Sequence, residues 1–264
     1  MKSGTGTSGA GLRTSARTGR RTTMTHHPRP VALVTGANKG IGRETARQLG
    51  LRGMTVLIGA RDTDRGERTA AALRESGLDA RALTLDVTRE ETVTSAAAAV
   101  GHTYGRLDVL VNNAGIVEED LSPSETTAEL AGRIYATNVF GVIATTHALL
   151  PLLREAPAGR VVNLSSRLGS LAKAADFEAP HRLLLAYNSS KAALNSLTLH
   201  YAREFAGTPL KVNSATPGYV ATDLNRHQGT RTVEEGARIV VHLATLGEDG
   251  PTGGFFDDAG PVDW

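Results

Sequence analysis

The sequence predicts an α/β domain built on one doubly wound parallel sheet of about seven strands flanked by helices. Three observations carry that expectation. From residue 31 onward, short apolar runs alternate with stretches of helical periodicity, the pattern of right-handed βαβ crossovers. The runs show little polar alternation, as strands do when both faces of their sheet are covered. The first run, 31–35, passes directly into a turn holding Gly36, Gly40 and Gly42. That is the form of a strand, a tight turn and a helix start.

The remaining strands are expected at 55–58, 81–85, 107–111, 160–164 and 210–214, with a short last one at 254–256. Between them the apolar spacing predicts helices over 41–52, 64–76, 89–104, 125–153, 184–206 and 232–246. Residues 1–29 are different in kind. Rich in Gly, Ser, Thr and Arg, they cannot bury enough surface to offset their ordering entropy. They read as a disordered basic tail ahead of one folded domain spanning 30–264. Arg20-Arg21 lacks the hydrophobic stretch of an export signal, and Met24 offers an alternative start.

A chain of 264 residues, 40% hydrophobic and 21% charged, suits one globular α/β domain with a sizeable core. Its net charge of +2 divides unevenly: residues 1–30 carry six basic and no acidic side chains, leaving 23 basic against 27 acidic in the rest. The folded part therefore shows no nucleic-acid footprint. No apolar run approaches the ~20 residues that span a membrane, so no membrane partner is expected. The absence of cysteine excludes disulfides and thiolate metal sites and fits a reducing, cytoplasmic location. No histidine spacing suits a metal, and none is expected.

Ligands in such sheets sit beyond the carboxyl ends of the strands. Gly36 allows a tight exit from the first strand, Gly40 lets backbone approach a phosphate, and Gly42 lets the helix pack closely. The N–H groups at the helix start then face an anion, with Asn38, Lys39 and Ile41 inside the same turn. After the second strand comes Ala60-Arg61-Asp62, with Arg65 one helical turn on. A carboxylate there would bind a ribose 2′-hydroxyl, whereas arginine accommodates a 2′-phosphate with its planar fork. Lys39 adds a cation from the opposite side. Arg61, Arg65 and Lys39 thus favour NADP(H) over NAD(H), with Asp62 a competing partner for Arg61. Asp86 and Val87 follow the third strand, where Asp86 suits an adenine amino group or a helix cap. Asn112-Asn113-Ala114-Gly115 ends the fourth, and its small residues let a flat ring or ribose lie against backbone.

Asn138 stands among apolar neighbours in a helical stretch, where an amide is a poor interior residue, and this favours a buried polar role. The fifth strand runs into Ser165-Ser166. Tyr187 follows Ser166 by 21 residues, and Lys191 comes four later on the same helical face. An ammonium beside a phenol favours the phenolate. Tyr187 is therefore expected below its ordinary pKa of ~10, as a general acid or base near neutrality.

Thr35-Gly36-x-x-x-Gly40-x-Gly42, Asn112-Asn113-Ala114-Gly115, Asn138, Ser166, Tyr187-x-x-x-Lys191 and Pro217-Gly218-x-Val220-x-Thr222 arrive in one order. Together they resemble the short-chain dehydrogenase/reductase family across residues 31–264. Asn38-Lys39-Gly40 with Ala60-Arg61-Asp62 and Arg65 look most like its NADPH-dependent carbonyl reductases. The resemblance implies a Rossmann-type fold and reduction of a ketone, aldehyde or quinone with NADP(H). NAD-dependent oxidation of a secondary alcohol, or a non-catalytic NADP sensor, are the alternatives. It also implies that Tyr187 gives a proton to the carbonyl oxygen and Ser166 polarises it. Lys191 would bind the nicotinamide ribose and stabilise the phenolate, and Asn138 would hold a relay water. The backbone at Val220 and the Thr222 hydroxyl, beside Pro217 and Gly218, would fix the carboxamide. The Ser166-to-Tyr187 gap exceeds the family's usual length through an insert at 174–182. Longer inserts accompany monomeric carbonyl reductases, so a monomer and a homo-oligomer both stand. The insert and residues 223–231 are expected to line the substrate entrance, with Phe177, Tyr219, Leu224 and His227 as candidates.

Overall fold

The structure, a computed structural model, describes residues 29–118, 121–178 and 182–264 together with Met1 and Gly4. Most of the tail expected at 1–29, and residues 179–181 of the insert, lie outside the described residues. Seven strands run parallel: β1 (Val31–Thr35), β2 (Thr55–Ala60), β3 (Ala80–Thr84), β4 (Val109–Asn112), β5 (Arg160–Leu164), β6 (Lys211–Ala215) and β7 (Phe255–Asp257). An eighth, β8 (Gly260–Pro261), turns back antiparallel on β7. This exceeds the expected count by one. Two residues carry no apolar run to read, and Gly260 takes φ 130 to make the reversal.

The order in the sheet is β3-β2-β1-β4-β5-β6-β7-β8. Helices cover both faces: α1 (Gly40–Leu51), α2 (Thr63–Glu75), α3 (Glu90–Tyr104), α4 (Ala128–Tyr135), α5 (Gly141–Arg154), α6 (Leu171–Ala174), α7 (Leu185–Glu204) and α8 (Val233–Ala244). Alternate strand residues feed the two cores, because successive side chains on a strand point to opposite faces. Ala32 and Val34 pack with Leu49, Leu73, Val240 and Leu243 on one side. Val31 and Leu33 pack with Val93, Val100, Leu149, Leu153 and Phe205 on the other. The strand order reverses between β1 and β4, and a crevice opens at that point.

The helix expected over 125–153 begins at Ala128 and carries a π turn within it. A short turn at Pro123–Glu125 precedes α4, whose first turn is capped by Thr127 accepting from Leu130 N at 3.2 Å. Between α4 and α5 lies a π turn, Ala136–Phe140, that carries Asn138. Ala128–Arg154 is thus one continuous run of 27 residues, with mean hydropathy of 1.4 over its most apolar window, long and apolar enough to cross a membrane by length and composition. No consecutive apolar run signals this, because its polar residues are scattered through it. Here the segment packs on α3, α7 and the sheet, burying Asn138, Thr145 and Thr146.

Candidate active site

A cleft of about 1130 Å³ opens over the carboxyl ends of the strands. Gly36, Arg61, Leu85, Asn113, Ser165 and Pro217, each following a strand, all line it. Gly36 and Gly40 take left-handed φ values of 62 and 56, which a side chain would oppose. Gly42 keeps the start of α1 close against the carboxyl ends of β1 and β4. A Cβ there would fall 2.4 Å from Asn113 Nδ2 and 2.8 Å from the Gly36 carbonyl oxygen. Asn113 lies across the turn, with Nδ2 donating to the Thr35 and Gly36 carbonyls at 2.7 and 3.2 Å. Thr35 Oγ1 in turn accepts from the N–H groups of Asn113 and Ala114 at 3.0 and 2.9 Å. No side chain caps α1. Its first-turn N–H groups are therefore left for an anion in the cleft, beside Asn38, Gly40 and Ile41.

The expected cations divide. Arg61 lines the cleft and makes no ion pair among the described residues. Asp62, expected to compete for it, instead caps α2 by accepting from Arg65 N at 2.9 Å, and pairs with the Arg65 side chain at 3.3 Å. Asp at an N-cap satisfies a helix donor that has no other partner, and that use wins here. Lys39 also lines the cleft, but its Nζ lies 2.6 Å from Asp223 Oδ2. Asp86 caps no helix. Its Oδ1 accepts from Thr88 N and Thr88 Oγ1 at 3.0 and 2.7 Å, and α3 begins only at Glu90. Val87 is buried beside Gly141, where a Cβ would come within 2.7 Å of it.

Ser166, Tyr187 and Lys191 meet at the far end of the cleft. Ser166 faces the Tyr187 phenol and acts to lower its pKa, and Lys191 Nζ lies 5.7 Å from the Tyr187 ring centroid. Ser166 Oγ also accepts from Leu168 N at 3.2 Å. Ser165 Oγ points instead at the Lys191 carbonyl, 3.5 Å away. One part of the expectation is corrected. Burial pushes the Tyr187 phenol up to about 12, against a smaller lowering from Ser166. Burial likewise brings Lys191 down to about 8. The ammonium turns to the Leu164 carbonyl, 2.7 Å from Nζ, rather than to the phenol. Asn138, fully buried, is used on both sides of its amide. Oδ1 accepts from Ile116 N at 2.9 Å, while Nδ2 donates to the Ile116 carbonyl and Ser190 Oγ, both at 3.0 Å.

These shifts predict a pH profile for the cofactor-free protein. From about 8 up to the lysine reference of 10.5, the unfolded chain keeps a proton that folded Lys191 has released, so stability rises with pH. From the tyrosine reference of 10.0 up to about 12, folded Tyr187 keeps a proton that the unfolded chain loses, so stability falls. Urea midpoints are expected to climb above pH 8 and drop beyond pH ~10. Lys191→Met should flatten the rising limb; a limb that survives it contradicts the assignment.

Pro217, Gly218, Val220 and Thr222 line the cleft with Tyr219, Leu224 and His227, as expected of that loop. The Val220 carbonyl already accepts from Asn225 Nδ2 at 2.8 Å. Phe177 is 94% exposed and is not on the cleft wall. Arg182, the last residue of the expected insert, does line the cleft, and Leu168, Leu184 and Val117 form part of the wall with it, marked by no periodicity or motif. Also unforeseen is a buried polar chain under the cleft. Asn112 Nδ2 donates to Asn163 Oδ1 at 2.8 Å, and Asn163 Nδ2 to Thr198 Oγ1 at 2.8 Å. Thr198 is 2.8 Å from Ser214 Oγ, and strand register aligns the strand members.

A family model described as short chain dehydrogenase matches residues 30–232. Short-chain dehydrogenase anuI of Penicillium roqueforti (strain FM164) is 36% identical over 227 residues, covering 83% of this chain and 90% of that protein. (-)-Isopiperitenone reductase of Mentha piperita is 32% identical over 302 residues, covering 85% and 95%. The solved structure of salutaridine reductase from Papaver somniferum superposes with a TM-score of 0.76 at 31% identity, covering 87% of this chain and 100% of that one. The family binds nicotinamide cofactors and acts on small molecules. On fold, site geometry and these matches, the chain belongs to the short-chain dehydrogenase/reductase family of oxidoreductases.

Proposed function

We propose that the protein is a cytoplasmic, NADPH-dependent reductase of a small ketone, aldehyde or quinone. The observation that carries this reading is the convergence of Ser166, the Tyr187 phenol and the Lys191 ammonium on one cleft wall. Relatives whose names include two reductases support the direction. The uncapped start of α1, the glycines at 36, 40 and 42, and the cleft-lining Asp86, Asn113, Ala114, Gly115 and 217–222 fit a dinucleotide, which supplies the hydride.

Tyr187, protonated at neutral pH, gives its proton to the carbonyl oxygen. Ser166 donates a hydrogen bond to the same oxygen, where negative charge develops. Lys191, anchored on the Leu164 carbonyl, stabilises the phenolate that remains. Gly115 leaves space beside it: the position its Cβ would take is 3.4 Å from Asn138 Oδ1 and 3.6 Å from Lys191 Nζ. Asn138 Oδ1 and Lys191 Nζ thus face the same glycine, the arrangement that the proton path expected of Asn138 needs. Asn138 also positions α7 through Ser190.

Arg61, which lines the cleft with no ion pair among the described residues, favours a 2′-phosphate. Mixing the protein with NADPH or NADH and a carbonyl panel should show turnover, with NADPH preferred. Arg61→Ser is expected to weaken NADPH binding by about tenfold or more, since a charge-assisted hydrogen bond contributes roughly 1.5–3 kcal/mol. NADH binding should change little. Absence of turnover across the panel, or equal loss for both cofactors, contradicts the reading.

A further inference from the structure

Lys39 and Arg61 are unequal in the structure. Arg61 is free of ion pairs among the described residues, whereas Lys39 is bound by a carboxylate 184 residues further on. Asp223 uses both oxygens: Oδ2 lies 2.6 Å from Lys39 Nζ, and Oδ1 lies 2.9 Å from His227 Nε2. The backbone is bent to allow this. Arg226 and His227 adopt left-handed φ values of 53 and 60, uncommon for residues with side chains. His227 N donates to the Thr222 carbonyl at 2.9 Å, which folds the imidazole back onto Asp223. Lys39, Asp223 and His227 all line the cleft.

We propose that Asp223 is a determinant of cofactor choice, acting through Lys39. It holds the ammonium as counter-ion, so a 2′-phosphate must take Lys39 from a carboxylate before gaining its charge. A 2′-hydroxyl has no use for that ammonium and meets no such competition. Asp223 therefore narrows the preference for NADP(H) over NAD(H) below what Arg61 and Lys39 would give alone. His227 makes the exchange easier, because Asp223 keeps one partner when Lys39 leaves. This inference rests on the NADP(H) reading of the site.

The test measures dissociation constants for NADPH and NADH by nicotinamide fluorescence, without turnover. Asp223→Asn keeps the shape and removes the charge. It should tighten NADPH about threefold to fivefold, the upper part of the range of an exposed ion pair, and leave NADH within about 1.5-fold. In a Lys39→Met background the same substitution should leave the NADPH-to-NADH ratio unmoved. An equal shift for both cofactors, no shift, or a shift that persists in Lys39→Met overturns the proposal. Failure of the underlying reading looks different: Arg61→Ser and Lys39→Met would then leave the wild-type ratio unchanged. Trypsin supplies a readout with no cofactor, since Arg226 lies in the tethered segment. Asp223→Asn should speed cleavage after Arg226 severalfold, and an unchanged rate contradicts the tether.

Discussion

Tyr187→Phe is expected to reduce kcat by about three orders of magnitude, within the usual ~10²–10⁴ range for removing a general acid. The physical reason is local. The ring stays, so the wall of the cleft stays, but the only proton at that position is gone. Ser166 still donates to the carbonyl oxygen, which leaves residual stabilisation of developing charge and hence residual rate. NADPH affinity should move by no more than about threefold, because the glycine turn, Asn113 and Arg61 are untouched. The fold should not suffer. Ser166 Oγ retains Leu168 N as a partner, and the phenol lost was one whose charged form burial already disfavoured. Steady-state kinetics with cofactor binding measured separately decides the matter. Full turnover by the variant would remove Tyr187 from the mechanism.

What the sequence makes legible is what depends on near neighbours. The strand expected at 160–164 coincides with β5, because its apolar run is bounded by turn residues on both sides. Tyr187 and Lys191 share a helical face by their spacing alone, and the two glycines at left-handed φ were marked by their place after β1. What was illegible depends on burial or on distant chain. The sign of the Tyr187 shift turns on desolvation, and no four-residue spacing reports how dry a helix face is. The Lys39–Asp223 pair joins segments that only the fold brings together. The chain from Asn112 through Asn163 to Ser214 requires the parallel register of three strands. The capping role of Asp62 is a local signal, an acid at the start of a helical stretch, which the adjacent Arg61 masks by offering it a second possible partner.

Arg160 shows how a strand residue with no apparent role can hold one end of the sheet. At the sequence level it is simply the first residue of the fifth strand. In the structure it is 3% exposed and makes no ion pair among the described residues. Its guanidinium instead serves four backbone carbonyls. Nε and Nη2 both donate to Leu246 at 3.0 and 2.8 Å, Nη2 to Gly247 at 2.9 Å, and Nη1 to Gly159 and Pro209 at 2.8 and 2.9 Å. Three loops at the amino ends of the strands are thereby joined. Arg160→Met would fill the volume of the stem and leave those carbonyls without their donor. Each buried orphan costs roughly 1–3 kcal/mol, and water reaching some of them reduces the sum, so a net loss of about 3–5 kcal/mol is expected in urea unfolding. Arg160→Lys should recover only part of it, because an ammonium cannot present the fork that reaches four acceptors at once. A loss under about 1 kcal/mol would mean the loops are held by other contacts. The site lies at the end of the sheet opposite the cleft, so kcat per folded molecule should be unchanged in Arg160→Met. Tyr187→Phe should show the reverse, full stability with little turnover. If Arg160→Met lost catalysis in proportion to stability, the two ends of the sheet would be coupled through β5, which leads from Arg160 directly to Ser165 and Ser166.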